Sequence, residues 1–135
     1  MKKLLFTLFM LIVSTKSFSQ SNDEYQYVTL SSDGSTYYVH LELCTQDTKK
    51  FWLKIISPNK TSKSKSGKII KKGGDFTVKY LSVDCSFKEY TIYEESNFDK
   101  NGNLISSEQF SSYDRYSERI MPGTVMSAIY KYVCR

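Results

Sequence analysis

Short runs rich in Tyr, Val, Phe, Ile and Thr recur along most of this chain, each bounded by Gly, Pro, Asn, Asp or Ser. Such runs between turn residues are typical of antiparallel strands. In residues 35–43, apolar side chains at Tyr37, Val39, Leu41 and Leu43 alternate with more polar neighbours. Because successive side chains of a strand point to opposite faces, this run predicts one face on a core and one in water.

The same pattern predicts five to six strands. The candidate runs are residues 25–30, 35–43, 51–57, 76–83, 86–97 and 103–110. The pairs Asp33-Gly34 and Asn101-Gly102 are typical hairpin turns. Residues 58–74 break the pattern, since they are rich in Lys, Ser and Gly and contain no acidic residue. We interpret this segment as an exposed mobile loop, with Ile69-Ile70 as its one hint of strand pairing.

The hydrophobic period changes near the C-terminus. Apolar residues with the spacing of one helical stripe are Val125, Met126, Ile129, Tyr130 and Val133. Thr124 precedes them and is a suitable N-cap, because its hydroxyl can accept a hydrogen bond from a backbone N–H of the first turn. The whole pattern predicts an α+β domain, an antiparallel sheet with one C-terminal helix laid on one face.

The N-terminus has the composition of a secretory signal peptide. Lys2 and Lys3 precede an apolar run, residues 4–13, and small polar residues follow it. An apolar run of this length spans only about half of a bilayer, so it cannot serve as a transmembrane helix. We predict cleavage after Ser19, which leaves one mature domain, residues 20–135, without a transmembrane segment. Export would place the domain in the periplasm, at the outer surface or outside the cell.

Cleavage would also change the charge. The full chain has 19 basic and 14 acidic residues, and removal of Lys2, Lys3 and Lys16 leaves 16 and 14, a net charge of +2 instead of +5. A dedicated nucleic-acid-binding domain has a much more basic surface, so we expect no nucleic-acid partner.

Three cysteines remain in the mature domain, Cys44, Cys85 and Cys134. An oxidising compartment predicts at least one disulfide, and the spacing allows three pairings. The cysteines and the single histidine, His40, include no close pair of the kind that binds zinc, so we expect no metal site and no cofactor. No nucleophile elbow and no phosphate-binding glycine loop are present, and we expect no catalytic residue.

Several segments, taken in order, resemble the surface-adhesin protein E family of exported proteins of Gram-negative bacteria. They are residues 51–54 with the tryptophan and lysine, 83–85 and 88–90 around a cysteine, the hairpin 98–105, the helix entry 120–124 and the closing pair 133–134. The resemblance covers essentially the whole mature chain. It implies that a disulfide between Cys85 and Cys134 tethers the helix to the sheet. Cys44 would then be unpaired, either as a buried small hydrophobe, which we favour, or as a thiol open to a partner.

The resemblance also implies a function, since members of the family bind host extracellular-matrix or serum proteins. We therefore expect a non-enzymatic, adhesin-like binding protein with a protein or anionic glycan as partner. The candidate binding residues are Lys60, Lys63, Lys65, Lys68, Lys71 and Lys72, and the alternative for the same residues is a solubilising loop. An envelope protein of the periplasm or a small enzyme inhibitor is the alternative function, and an exposed edge strand or Cys44 leaves homodimerisation open.

Overall fold

A computed structural model describes residues 24–135 of the chain, so the predicted signal peptide, residues 1–19, lies outside the described residues. Nine strands and one helix follow along these residues. The strands are β1 (Gln26–Leu30), β2 (Thr36–Cys44), β3 (Thr48–Ile56), β4 (Lys60–Lys63), β5 (Ile69–Lys72), β6 (Phe76–Asp84), β7 (Glu89–Phe98), β8 (Leu104–Gln109) and β9 (Glu118–Arg119). The helix, α1, is Val125–Val133.

Seven of the strands form one antiparallel sheet. The order across it is β1-β2-β3-β6-β7-β8, and the short β9 pairs with the free end of β7 beside β8. From β1 to β8, neighbours along the chain are therefore neighbours in the sheet, except where β4 and β5 are inserted between β3 and β6. The predicted antiparallel sheet with one C-terminal helix is confirmed.

One face of the sheet packs against α1, and we call it the helix face. Its central side chains are fully buried, among them Phe51 and Val83 at 0% exposure. Ile129 and Val133 are the side chains that α1 contributes to this core. Apolar side chains of alternate strand residues thus share one face, which is the arrangement that the alternation in the sequence predicts.

A disulfide holds the C-terminal end of α1 to the sheet. Cys85 at the end of β6 is bonded to Cys134, 49 residues later, which confirms the predicted tether. The Tyr130 hydroxyl strengthens the same end by donating a hydrogen bond to the Cys85 carbonyl, at 2.9 Å. At the other end, the Ser127 N–H donates to the Thr124 hydroxyl at 3.2 Å, so the predicted N-cap is confirmed.

Three hairpin connections share one geometry. The residues that begin them are Ser31, Ser64 and Asp99, and in each the N–H of a glycine three residues later donates to the carbonyl of that first residue. The next residue closes the loop with a second backbone bond, as in a type I turn followed by a glycine bulge. In the last hairpin Gly102 has φ +86°, a conformation that side chains with a Cβ rarely adopt. Both predicted turns are therefore hairpin turns. Their loops have three residues, one more than the common two-residue hairpin loop.

Two features of the fold differ from the sequence-based expectations. Residues 58–74 are not a loop: β4 and β5 pair in antiparallel register, from Lys60 opposite Lys72 to Lys63 opposite Ile69. The alternation in β2 also fails near its end, because a bulge between Leu41 and Leu43 shifts the register. Leu43 is therefore exposed on the opposite face, whereas Leu41 keeps its place opposite Phe51 on the core face but is still 41% exposed.

Candidate binding surfaces

The inserted hairpin carries the predicted binding lysines. We call residues 60–72, β4, β5 and the turn between them, the lysine hairpin. All six candidate side chains are exposed: Lys60, Lys63, Lys65, Lys68, Lys71 and Lys72. Exposure leaves their ammonium groups accessible to a partner.

The lysines are distributed over both faces of the hairpin and its tip. Directly opposite residues share a face, so Lys60 and Lys72 lie together on one face, and Lys63 and Lys71 lie on the other. Like charges directly across a strand pair destabilise the pairing. The lysine hairpin therefore holds a concentration of positive charge that works against its own folding.

The base of the lysine hairpin joins the main sheet through a close backbone crossing. The Ser57 N–H donates to the Asp75 carbonyl at 2.9 Å, and the Gly74 N–H donates to the Ser57 carbonyl at 3.1 Å. Gly73 has φ +121°, and a Cβ there would lie 2.1 Å from the Pro58 carbonyl oxygen. Only glycine fits at this crossing, which sets how the hairpin leaves the sheet.

The face of the main sheet opposite the helix is lined with aromatic rings, and we call it the aromatic face. Its rings, mostly half-buried, belong to Tyr25, Tyr27, Tyr38, Trp52, Phe76, Tyr80, Tyr93 and Phe98. The centre is the pair Trp52 and Tyr80, with ring centroids 4.8 Å apart. Among the described residues no helix covers this face. Half-exposed Tyr and Trp are enriched in protein-binding surfaces, so it is a second candidate surface.

Cationic side chains lie over several rings of the aromatic face. The Lys54 ammonium is 4.5 Å from the Phe76 ring centroid, and Lys50 and Arg115 lie 5.4 and 4.8 Å from the Tyr93 centroid. Such cation–π contacts hold the charges at defined positions over the rings. The aromatic face thus combines flat apolar area with fixed positive charge.

Two tyrosine hydroxyls have strongly shifted pKa values. Burial and then a hydrogen bond with Glu42 raise the pKa of Tyr80, on the aromatic face, to about 12. Burial and then the hydrogen bond that it donates to Glu118 raise the pKa of Tyr90 to about 12. Both hydroxyls are neutral hydrogen-bond donors at physiological pH, and neither has the lowered pKa that would suit a catalytic base or nucleophile.

Cys44, His40 and the adjacent carboxylates Glu94 and Glu95 are the other side chains with reactive or titratable groups to consider. Cys44 is exposed at the end of β2, so the interpretation as a buried hydrophobe is wrong. His40 lies on the aromatic face, its ring 5.8 Å from that of Tyr25. Glu95 forms an ion pair with Lys79 at 2.7 Å on the helix face, whereas Glu94 accepts a hydrogen bond from Gln109 on the other face. The two adjacent carboxylates therefore cannot act together.

Within residues 24–135, no three His, Cys, Asp or Glu side chains form a group that could hold a metal ion. In the same part of the chain, no helix has the length and apolar character needed to cross a bilayer.

The lysine hairpin was predicted as a set of residues but not as a strand pair. The aromatic face was indicated only by the number of tyrosines, 11 in the chain. The aromatic face could have been located from the alternation of side chains along the strands, if it had been known that no helix packs on one face of the sheet.

Comparison with known proteins agrees with the resemblance noted in the sequence. Neither curated proteins nor solved structures produced a significant match. The family model of the surface-adhesin protein E matches residues 25–135, which is nearly all of the described chain. The chain therefore belongs to the surface-adhesin protein E family, whose members are adhesin-like surface proteins.

Proposed function

We propose that this protein is an exported, non-enzymatic adhesin that binds an acidic partner, a protein or an anionic glycan, through the lysine hairpin. Host extracellular-matrix and serum proteins are the partners that we would test first. Export is part of the proposal and depends on the predicted signal peptide, residues 1–19.

The observation that carries the proposal is the concentration of exposed positive charge on one protruding element. The hairpin and its flanks, residues 58–74, contain six lysines and no acid, although the mature chain is nearly neutral. A local excess of one charge raises the rate of encounter with an oppositely charged partner, and salt screens this attraction. The repulsion between lysines across the strands lowers the stability of the hairpin. Their presence is therefore easier to explain by a role in binding than by a role in stability.

The aromatic face supports a binding role independently. Large half-exposed rings contribute much of the energy of protein interfaces, and Tyr, Trp and Arg dominate their hot spots. Trp52 is the single tryptophan of the chain and lies at the centre of this face. Its fluorescence therefore reports whether a partner that binds the lysine hairpin also reaches the sheet.

The test is binding of residues 20–135 to immobilised matrix and serum proteins and to heparin, at low and at physiological salt. The first variant changes Lys63, Lys65 and Lys68, around the hairpin tip, to Ser. The matched control changes three exposed lysines elsewhere to Ser: Lys88, Lys100 and Lys131. The two variants lose the same charge, so a purely global charge effect would weaken both equally.

We expect saturable binding that the hairpin variant weakens at least tenfold and that the control variant weakens much less. Binding should also fall as salt rises, because exposed charges separated by more than about 10 Å are screened at 0.1 M salt. Equal losses in the two variants would refute a hairpin site, and no binding to any panel member would refute these partners.

A protruding hairpin is also a suitable shape for insertion into an enzyme cleft, which favours the inhibitor as the second candidate. Such an inhibitor would form a one-to-one complex with a single enzyme and keep its affinity at moderate salt. A salt-resistant complex of this kind, isolated from the organism's surroundings, would favour the inhibitor over the adhesin.

A further inference from the structure

A cavity of about 190 Å³, open to solvent on one side, lies between the helix face and the N-terminal half of α1. Its floor includes Leu53, Leu81 and Ile92 on the strands, and its roof is Val125 and Met126 on the helix. Apart from one lysine and the hydroxyls of two tyrosines, the lining is apolar. An enclosed apolar cavity of about 150 Å³ lined by Leu, Ile and Phe binds benzene or xenon, so a space of this size can hold a short apolar chain.

The helix covers this cavity with its less firmly held end. The C-terminal half of α1 is anchored by the disulfide of Cys134 and by the fully buried Ile129. In the N-terminal half, Val125 and Met126 are only half-buried, whereas Leu53 and Leu81 beneath them are 3% and 1% exposed. An apolar molecule in the cavity would thus contact a buried floor and would remove the exposed part of the roof from water.

One polar pair lies at the edge of the cavity. Lys79 contributes to the lining, and its ammonium is 2.7 Å from a carboxylate oxygen of Glu95. Both side chains remain partly exposed, at 25% and 31%. The Lys79 ammonium can donate and the Glu95 carboxylate can accept a hydrogen bond at the polar end of a ligand, while the mostly apolar lining contacts its apolar part.

We propose that this cavity is a binding site for a small amphiphile, an alkyl or acyl chain whose single polar end lies at the Lys79–Glu95 pair. The size excludes a peptide segment, since pockets for larger ligands have volumes of about 300 Å³ or more. The site lies on the helix face, across the sheet from the aromatic face, so the proposal does not depend on the function of the lysine hairpin.

The test is titration of residues 20–135 with straight-chain alcohols from butanol to decanol, followed by methyl NMR. Methyl groups of Ile92 and Met126 report on the cavity, and those of Ile56 and Val78 report on the opposite face. We expect saturable shifts at the first two only. Affinity should rise about fourfold for each added methylene and then level off when the chain fills the cavity.

Adsorption to exposed apolar side chains would give a different result. It would move the methyl signals of the exposed Ile69 and Ile70 as well, without saturation, and affinity would keep rising with chain length. Either outcome would overturn the proposal.

Two variants test the site directly. Val125→Phe places a ring in the roof, and we expect it to weaken the best alcohol at least tenfold, while the matched Val78→Phe on the opposite face leaves its affinity unchanged. Glu95→Gln frees Lys79 from its partner, and a carboxylate of the same chain length should then gain affinity relative to the alcohol. Unchanged affinity in Val125→Phe, or no gain in Glu95→Gln, would contradict the assigned position of the chain or of its polar end.

Discussion

At the scale of single residues, the backbone crossing at Gly73 determines how the lysine hairpin leaves the sheet. Its φ of +121° and the 2.1 Å that would separate a Cβ from the Pro58 carbonyl oxygen both require glycine. Gly67, at the hairpin tip, has φ +79° but nothing within 4 Å of an added Cβ. Alanine substitutions at the two glycines therefore distinguish the energetic cost of a positive φ, present at both, from the cost of a steric clash, present only at Gly73.

We predict that Gly73→Ala destabilises the hairpin base by about 2 kcal/mol or more, whereas Gly67→Ala costs about 1 kcal/mol, the conformational penalty alone. Hydrogen exchange of the Gly74 and Ser57 amides checks this, because both close the base of the hairpin. Their exchange should accelerate in Gly73→Ala and change little in Gly67→Ala. Equal acceleration in the two variants would contradict the steric argument.

At the scale of elements, the lysine hairpin combines an unfavourable cross-strand pair with the proposed binding role. Lys60 and Lys72 are directly opposite, while Lys71 faces the uncharged Thr61. A glutamate at position 72 would replace repulsion by attraction across the strands. The same glutamate at position 71 changes the net charge equally but has no lysine directly across.

We predict that Lys72→Glu stabilises the hairpin by roughly 0.2–1 kcal/mol and that Lys71→Glu stabilises it less. Both should weaken binding to an acidic partner, because both remove one positive charge and add a negative one. Hydrogen exchange of the β4 and β5 amides measures the first effect, and the immobilised-partner assay measures the second. A hairpin equally stabilised by both variants would show that cross-strand pairing is not the cause.

At the scale of the whole molecule, core packing and a disulfide together hold the short helix on the sheet. A nine-residue helix is marginal alone, and most of its stability comes from packing Ile129 and Val133 against the sheet. The bond between Cys85 and Cys134 closes a long loop, which lowers the entropy of the unfolded chain. This constraint compensates for a core of only eight buried apolar side chains among the described residues.

We predict that the double variant Cys85→Ser with Cys134→Ser lowers the free energy of unfolding by about 4 kcal/mol, the chain-entropy value for a loop of 49 residues. Cys44→Ser is the control, and it should have little effect because Cys44 is exposed and unpaired. Urea unfolding followed by circular dichroism measures both. A loss below about 1 kcal/mol in the double variant would refute the stabilising role of the tether.

Much of this fold could be predicted because its signals are local. Turn glycines, the Thr124 cap and the helical spacing from Val125 act over a few residues, and so they are readable in the sequence. The lysines of the candidate site were also identified there, because a run of charge without acids needs no tertiary information to be noticed.

The sequence alone determined the antiparallel sheet, the terminal helix and the family, whereas the tertiary structure decided which surfaces exist. A bulge reverses the alternation of every side chain that follows it, and nothing in the residues around Leu41 marks one. The spacing of three cysteines allows three pairings, and only the family resemblance implied the one between Cys85 and Cys134; the packing of α1 brings these two residues together, with 5.7 Å between their Cα atoms. The aromatic face and the cavity under α1 depend on contacts between distant segments, so they emerge only when the sheet is assembled.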